Sequence, residues 1–298
     1  MDKLFILREE INYHQAYRNI AEEKSELAMQ AKKYYQDLYE TYQKEQCEES
    51  NFLDGLEKQW YTRVWELYFA TQLKELNFDI SCPKAKGHPD LKLIHKEETI
   101  WIECTTISKG DNAVVEYEDG EIHTLNDEDY ISRITSAIAT KNEQINKQID
   151  NGVIGQNDIV IIAINTGELN LAKIAQMDNS LIHKALYGIG NLSYNFKKKE
   201  SFNSSRFNIE SANGSKIKTN LFTTNEYENI SGIIFSNWKP TEIHESIKND
   251  FEFTHNLFAR NSLENGFFKI GMEYLPFKNN GVGEFEKIGE CNKFCVNT

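Results

Sequence analysis

The stretch Ile159-Val160-Ile161-Ile162-Ala163-Ile164 is uninterruptedly apolar. A run this short and uniform reads as a strand buried on both faces. Such a strand needs cover above and below. The chain supplies it in the order helix, strand, hairpin, helix, strand, which predicts an α/β fold: a mixed central sheet flanked by helices. A continuous βαβα alternation is missing, which argues against a Rossmann fold or a (β/α)₈ barrel. No glycine-rich phosphate loop occurs, which argues against a nucleotide triphosphatase.

Upstream, Gly55 is the first glycine and no proline precedes it, so residues 1–54 are expected to form a long helical extension. Tyr13, Tyr17, Ile20, Lys24, Leu27, Ala31, Tyr34, Leu38 and Thr41 follow steps of four and three, a heptad stripe. It fits a seam that makes a homodimer or a face packed on the chain's own core. Tyrosines and Lys24 are poor seam residues, so self-packing is favoured. Residues 55–298 are expected to form the main domain. A second helix runs from Gly55 to Asn77, then strands at Phe78–Ser81, Asp90–Ile94 and Thr99–Cys104, with His95–Glu98 turning a hairpin. A helix over Glu128–Ile149 leads into the apolar strand, and Ile230–Ser236 is another strand. Gly190–Asn229, rich in Ser, Asn and Lys, is expected to be a long loop or insertion.

Two acids stand where a lone charge is costly. Along Thr99–Cys104 side chains alternate, so Trp101, Glu103 and Thr105 share one face. Glu103 ends an otherwise apolar strand, and an unpaired buried carboxylate there would be destabilising. Glu66 is the sole acid within Val64-Trp65-Glu66-Leu67-Tyr68-Phe69-Ala70. Asp90, at the start of the neighbouring strand, shares its face with Lys92. A divalent cation held by Asp90 and Glu103, with water completing the shell, would satisfy both and suits Mg²⁺ or Mn²⁺. Local pairings compete with it: Glu66 with Arg63 across a helical turn, Asp90 capping the turn after Gly87-His88-Pro89, and Glu103 with Lys92.

An acid on a leading helix, Pro89-Asp90 opening one strand and Glu103 ending the next resemble the PD-(D/E)XK nuclease superfamily over about residues 60–165. The resemblance implies a restriction-endonuclease-like fold and hydrolysis of phosphodiesters, in DNA by the habit of that group, by metal-activated water. It also implies Asp90, Glu103 and Glu66 as metal ligands. One position departs: where the pattern has Glu-x-Lys, this chain has Glu103-Cys104-Thr105. Some members carry the lysine on the following helix, which nominates Lys141, with Gln144 one turn on and Arg133 two turns before; Lys92 is the second choice. A degenerate nuclease fold serving as a nucleic-acid or protein interaction module is the alternative, and a toxin-like effector a weaker one.

The net charge of −13 opposes gripping nucleic acid by bulk electrostatics. The one basic stretch is Lys197-Lys198-Lys199 with Arg206, Lys216 and Lys218, read first as a solvated loop. Asn256, in a polar segment at a strand end, is a candidate for backbone bonding or DNA contact. The histidines are dispersed without triad logic, and the tryptophans read as core. No long apolar run or signal segment is present, and five scattered cysteines read as reduced thiols of a cytoplasmic protein with no membrane partner. Cys291 and Cys295 look like half of a zinc site with no second pair near them.

Overall fold

A computed structural model describes residues 4–45, 47, 52–83, 85, 87–108, 126–169, 179–211, 214–243, 251–268, 271–279 and 282–290. The helices α1 (Gln15–Glu22), α2 (Glu26–Lys44), α3 (Phe52–Lys58) and α4 (Trp60–Glu75) come first. After them come the strands β1 (Ile80–Ser81), β2 (Leu91–His95) and β3 (Glu98–Thr106), then the helix α5 (Glu128–Asp150) and the strand β4 (Ile159–Asn165). The short helix α6 (Leu181–Tyr187) leads into strands β5 (Ile189–Asn195), β6 (Glu200–Ser205), β7 (Asn208–Glu210) and β8 (Lys216–Lys218). The strands β9 (Gly232–Ser236), β10 (Glu252–His255), β11 (Met272–Asn279) and β12 (Val282–Glu290) follow.

Eight strands form one mixed sheet in the order β1-β2-β3-β4-β9-β10-β11-β12. The first three are antiparallel neighbours; β3, β4 and β9 run parallel. As its composition requires, β4 is buried along its whole length. Its two faces feed two separate cores. Ile159, Ile161 and Ala163 join Ile100, Ile102 and Cys104 of β3 under α2, α3 and α4. Val160, Ile162 and Ile164 join Trp101 under the Ile131–Ile145 stripe of α5 and the apolar side of α6. The result is three layers, with β3 and β4 in the middle. The β2–β3 hairpin turns at Lys96 and Glu97, both at positive φ (47° and 71°), the two-residue geometry that matches strand twist.

Three expectations need correction. The N-terminal region is not one long helix. Ser25 breaks it, its hydroxyl accepting from the Ala28 N–H as the N-cap of α2. The stripe, as favoured, packs on the chain itself: Tyr13, Tyr17, Leu38 and their neighbours join the α4 core, while Leu27 is left 69% exposed. Residues 190–229 are not a loop but two small hairpins, β5–β6 and β7–β8, followed by short 3₁₀ turns. Their polar side chains hide the strand alternation, because neither hairpin buries a full apolar face. Finally, Cys47 and Cys82 are not free thiols. The end of α2 and the end of β1 bring their Cα atoms to 4.7 Å and a disulfide joins them across 35 residues. Cys104 is free and buried, and Cys291 and Cys295 lie outside the described residues, as do His123 and His244.

Asn256 donates to the carbonyls of Tyr227 and Ile230, tying the β10 end to the loop before β9. Trp60, Trp65, Trp101 and Trp238 are all core residues. Among the described residues no helix is long and apolar enough to cross a membrane.

Closing a loop of that length stabilises the fold by roughly 3–4 kcal/mol through the unfolded chain. Cys47→Ser, or reduction with a thiol, is expected to lower the denaturation midpoint accordingly. A midpoint indifferent to reductant would show that the bridge does not form in solution.

Candidate functional site

Glu103 organises the site. Alternation along β3 turns it away from the α4 core and towards α5, where it is 1% exposed. Three side chains of α5 converge on it. Lys141 Nζ donates to Oε2 at 2.7 Å, while Gln144 and Gln148 donate through Nε2 to Oε1 at 2.9 and 2.8 Å. These residues lie three and four positions apart, one stripe on the helix beside the apolar one. Burial works to lower the pKa of the Lys141 ammonium, but the carboxylates of Glu103 and Asp90 outweigh it and hold the pKa above its ordinary value.

Asp90 immediately precedes β2 and accepts from the Cys104 N–H at 2.7 Å, which puts it beside Glu103 in the adjoining strand. Among the described residues it makes no capping bond to the preceding turn. Burial, and after it the charges of Glu66 and Glu103, push its carboxyl up to about 7, against the pull of Lys141 and the Cys104 amide. The Cys104 thiol is likewise pushed well up, by burial first and then by Asp90 and Glu66.

Glu66 approaches from the other layer. On α4 it is buried, accepting from the Tyr42 hydroxyl at 2.5 Å and from Arg63 Nη1 at 2.8 Å. The local Arg63 pairing anticipated from sequence therefore forms, with a tyrosine added. Burial raises the Tyr42 pKa well above its usual range, helped by the neighbouring Glu66. The pairing of Glu103 with Lys92 does not form, since Lys92 Nζ sits over the Trp101 ring at 5.1 Å. Thr105 is half-buried on β3, in register with Ile164.

Of the helix residues nominated from sequence, Lys141 and Gln144 reach Glu103 and Arg133 does not. Eight residues at about 100° each leave Arg133 roughly 80° round the helix from Lys141, and its Nη1 donates instead to the Ser108 carbonyl at 3.2 Å. Gln148 and Tyr42 went unnoticed in the sequence. Gln148 was legible as the next residue on the Lys141–Gln144 stripe; nothing local marked Tyr42, which reaches Glu66 only because α2 folds back along α4. A cavity of about 330 Å³ adjoins the cluster, lined by Gly87, Thr140, Glu143, Gln144, Lys147 and Gln148 among others.

Three carboxylates thus face two cations, Arg63 and Lys141. Among the described residues no three His, Cys, Asp or Glu side chains converge closely enough to hold a metal ion. The chain matches no family model, no curated protein and no solved structure.

Asp90 carries a stability cost that can be measured. Its pKa is raised on folding from 3.8 to about 7, so the folded state binds more protons and stability falls as pH rises through that window. Asp90→Asn keeps an oxygen for the Cys104 amide and removes the charge. It is expected to stabilise the fold above pH 7 by on the order of 1–3 kcal/mol, with little gain at pH 4; denaturant melts at the two pH values test this. Lys141→Met has the opposite sign. It strands a buried Glu103 carboxylate and should cost about 3–5 kcal/mol near neutral pH in the same measurement.

Proposed function

We propose that this chain is a metal-dependent nuclease with a restriction-endonuclease-like core, hydrolysing phosphodiester bonds in DNA. The observation that carries the reading is the ammonium of Lys141, 2.7 Å from Glu103 and delivered from the helix after the hairpin. That is the position to which the resemblance moves the lysine missing at Thr105. The element order supports it further: α4, then the antiparallel β1–β2–β3, then α5 crossing to a parallel β4.

The donors suit a hard divalent cation such as Mg²⁺ or Mn²⁺. Asp90 and Glu103 offer carboxylate oxygens from adjoining strands, and the elevated Asp90 carboxyl marks negative charge that a cation would relieve. Their number makes water the remainder of the shell. When bound, the ion lowers the pKa of a water and stabilises charge on the scissile phosphate. The protein's own groups divide the other work. Gln144 and Gln148 fix the Glu103 carboxylate, so that its orientation is set before substrate arrives. Lys141 holds its proton throughout and offsets negative charge developing on the phosphate. Glu66, committed to Tyr42 and Arg63, acts on Asp90 by its field or through water rather than as a direct ligand.

A second reading has its own support. All three carboxylates already accept hydrogen bonds from protein donors, and no complete set of metal-binding side chains converges among the described residues. An interaction module that keeps the fold without the chemistry meets both observations.

Incubation with plasmid, single-stranded DNA and RNA in Mg²⁺ or Mn²⁺ separates the two. Cutting that Asp90→Ala and Glu103→Ala abolish, and that Lys141→Ala reduces by about 10²–10³-fold, is the expected result. An inert wild-type protein, or cutting that survives both acid substitutions, would leave the interaction module as the reading that stands.

A further inference from the structure

We infer that the β5–β6 hairpin is a binding arm for single-stranded nucleic acid, its aromatic side chains stacking on unpaired bases and its lysine tip holding the phosphates. The inference deepens the proposed nuclease activity by naming the element that grips the substrate, and rests on it only in taking the bound strand to be the one cut.

The hairpin is a two-stranded sheet of its own, hydrogen-bonded to no strand of the central sheet among the described residues. A ribbon that hides no apolar face is expected to be polar. This one instead leaves Tyr194 48%, Phe196 84% and Phe202 48% exposed. Tyr194 and Phe196 stand edge to face with ring centroids 5.1 Å apart, whereas Phe202, opposite Ser193, projects from the other face. Exposed rings on both sides of a narrow ribbon suit partners that present flat π surfaces one at a time, as unpaired bases do.

The tip supplies the charge. The turn is fixed by Asn195, whose Oδ1 accepts from the Lys197 and Lys198 N–H groups at 3.0 and 3.1 Å while its carbonyl accepts from Lys199 at 2.7 Å. Lys199 takes the left-handed conformation (φ 59°) that closes the turn. Three consecutive ammonium groups are thereby held at one end of a ribbon in a chain of net charge −13. The ion pair made there among the described residues is Lys198 with Glu200, at 3.5 Å and exposed. This is the local concentration of positive charge that an acidic protein needs to meet a polyanion. Lipid is a poorer match. Leu192 is the one large aliphatic side chain exposed on the hairpin, and the cross-strand neighbours Ser201 and Asn203 would lose their water on insertion.

The base of the arm ties it to the candidate site. Arg206, just past β6, makes two hydrogen bonds to Asp127, each of 3.0 Å, and Lys184 of α6 makes a third at 2.7 Å. Asp127 is the N-cap residue of α5, the helix that presents Lys141 to Glu103. Strand gripped by the arm and chemistry at Glu103 would share one rigid helix.

The test is fluorescence anisotropy of a short labelled oligonucleotide with the full chain in EDTA, so that no cutting intervenes. Wild type is expected to bind single-stranded DNA more tightly than duplex. Reversing Lys197, Lys198 and Lys199 to Glu should weaken binding at least tenfold and reduce the slope of log affinity against log salt by about 2. Tyr194→Ala with Phe196→Ala should weaken it by about 5- to 100-fold with the salt slope unchanged. Phe196→Trp should restore the loss of Phe196→Ala, and thermal melts should be unchanged, since these side chains are exposed. Binding to DNA that both sets of substitutions leave intact overturns the arm and leaves the nuclease reading untouched. Absence of DNA binding overturns it too, as does binding only to anionic phosphatidylserine vesicles.

Discussion

Burying a carboxylate in the middle of a three-layer sandwich is the constraint around which this molecule is built. Glu103 sits on a central strand under α5 with almost no access to water. Without partners it would cost several kcal/mol and take up a proton. The chain meets that cost with an ammonium and two amides drawn from one helical stripe, so the register of α5 on the sheet is dictated by chemistry as well as by Ile131, Ile134, Ile138 and Ile145 beside it. An apolar stripe alone tolerates small slides of a helix over a sheet. A three-donor clasp on one carboxylate does not.

The same clasp unbalances its surroundings. Lys141 is spoken for by Glu103, and Arg63 by Glu66. Asp90 is left buried between two negative charges with a single backbone N–H as its donor among the described residues, and burial first, then those charges, raise its carboxyl to about 7. A cluster evolved for stability alone would place a neutral residue at this position. A carboxyl raised where a neutral side chain would avoid the cost is the feature on which the proposed cation site draws. Structural ion-pair networks perturb pKa values as well; here the raised carboxyl stands beside Glu103, whose donors Gln144 and Gln148 line the neighbouring cavity.

How much of this could be read in advance depended on whether a signal was local. The burial of β4 was legible because six apolar residues admit few alternatives, and the β2–β3 hairpin because a polar link separates two apolar runs. The resemblance nominated Lys141, by carrying the missing lysine to the following helix, and helical spacing added Gln144. Arg133 failed the same reasoning because whole turns do not return to the same face after eight residues. The break at Ser25 was obscured by the absence of glycine and proline, although a serine cap stops one helix and starts another without either. The Cys47–Cys82 bridge and the Tyr42–Glu66 contact depend on α2 doubling back beside α4. No spacing in the sequence encodes that, since the closing distance is set by tertiary packing. The hairpins between residues 189 and 218 were missed for a different reason: period-two alternation is visible only when one face is buried, and β7–β8 buries just the short Ile209–Ile217 pair while β5–β6 leaves its rings exposed.

That last failure bears on function. A ribbon with no buried face gains little from its own side chains, so exposed rings on it are unexplained by folding, whereas a Tyr or Phe in the core needs no other account. The charge distribution carries the same logic. At a net charge of −13 the chain as a whole repels a polyanion, and under the proposed role of the arm its lysine tip makes the first contact within a Debye length of about 8 Å. Repulsion elsewhere then favours a strand that enters along the arm over one that lies across the body. An acidic protein can be selective in this way where a uniformly basic one would bind everywhere. The acidic balance, which at first argues against a nucleic-acid partner, becomes on this view the reason that such a partner would be bound at one place and in one direction.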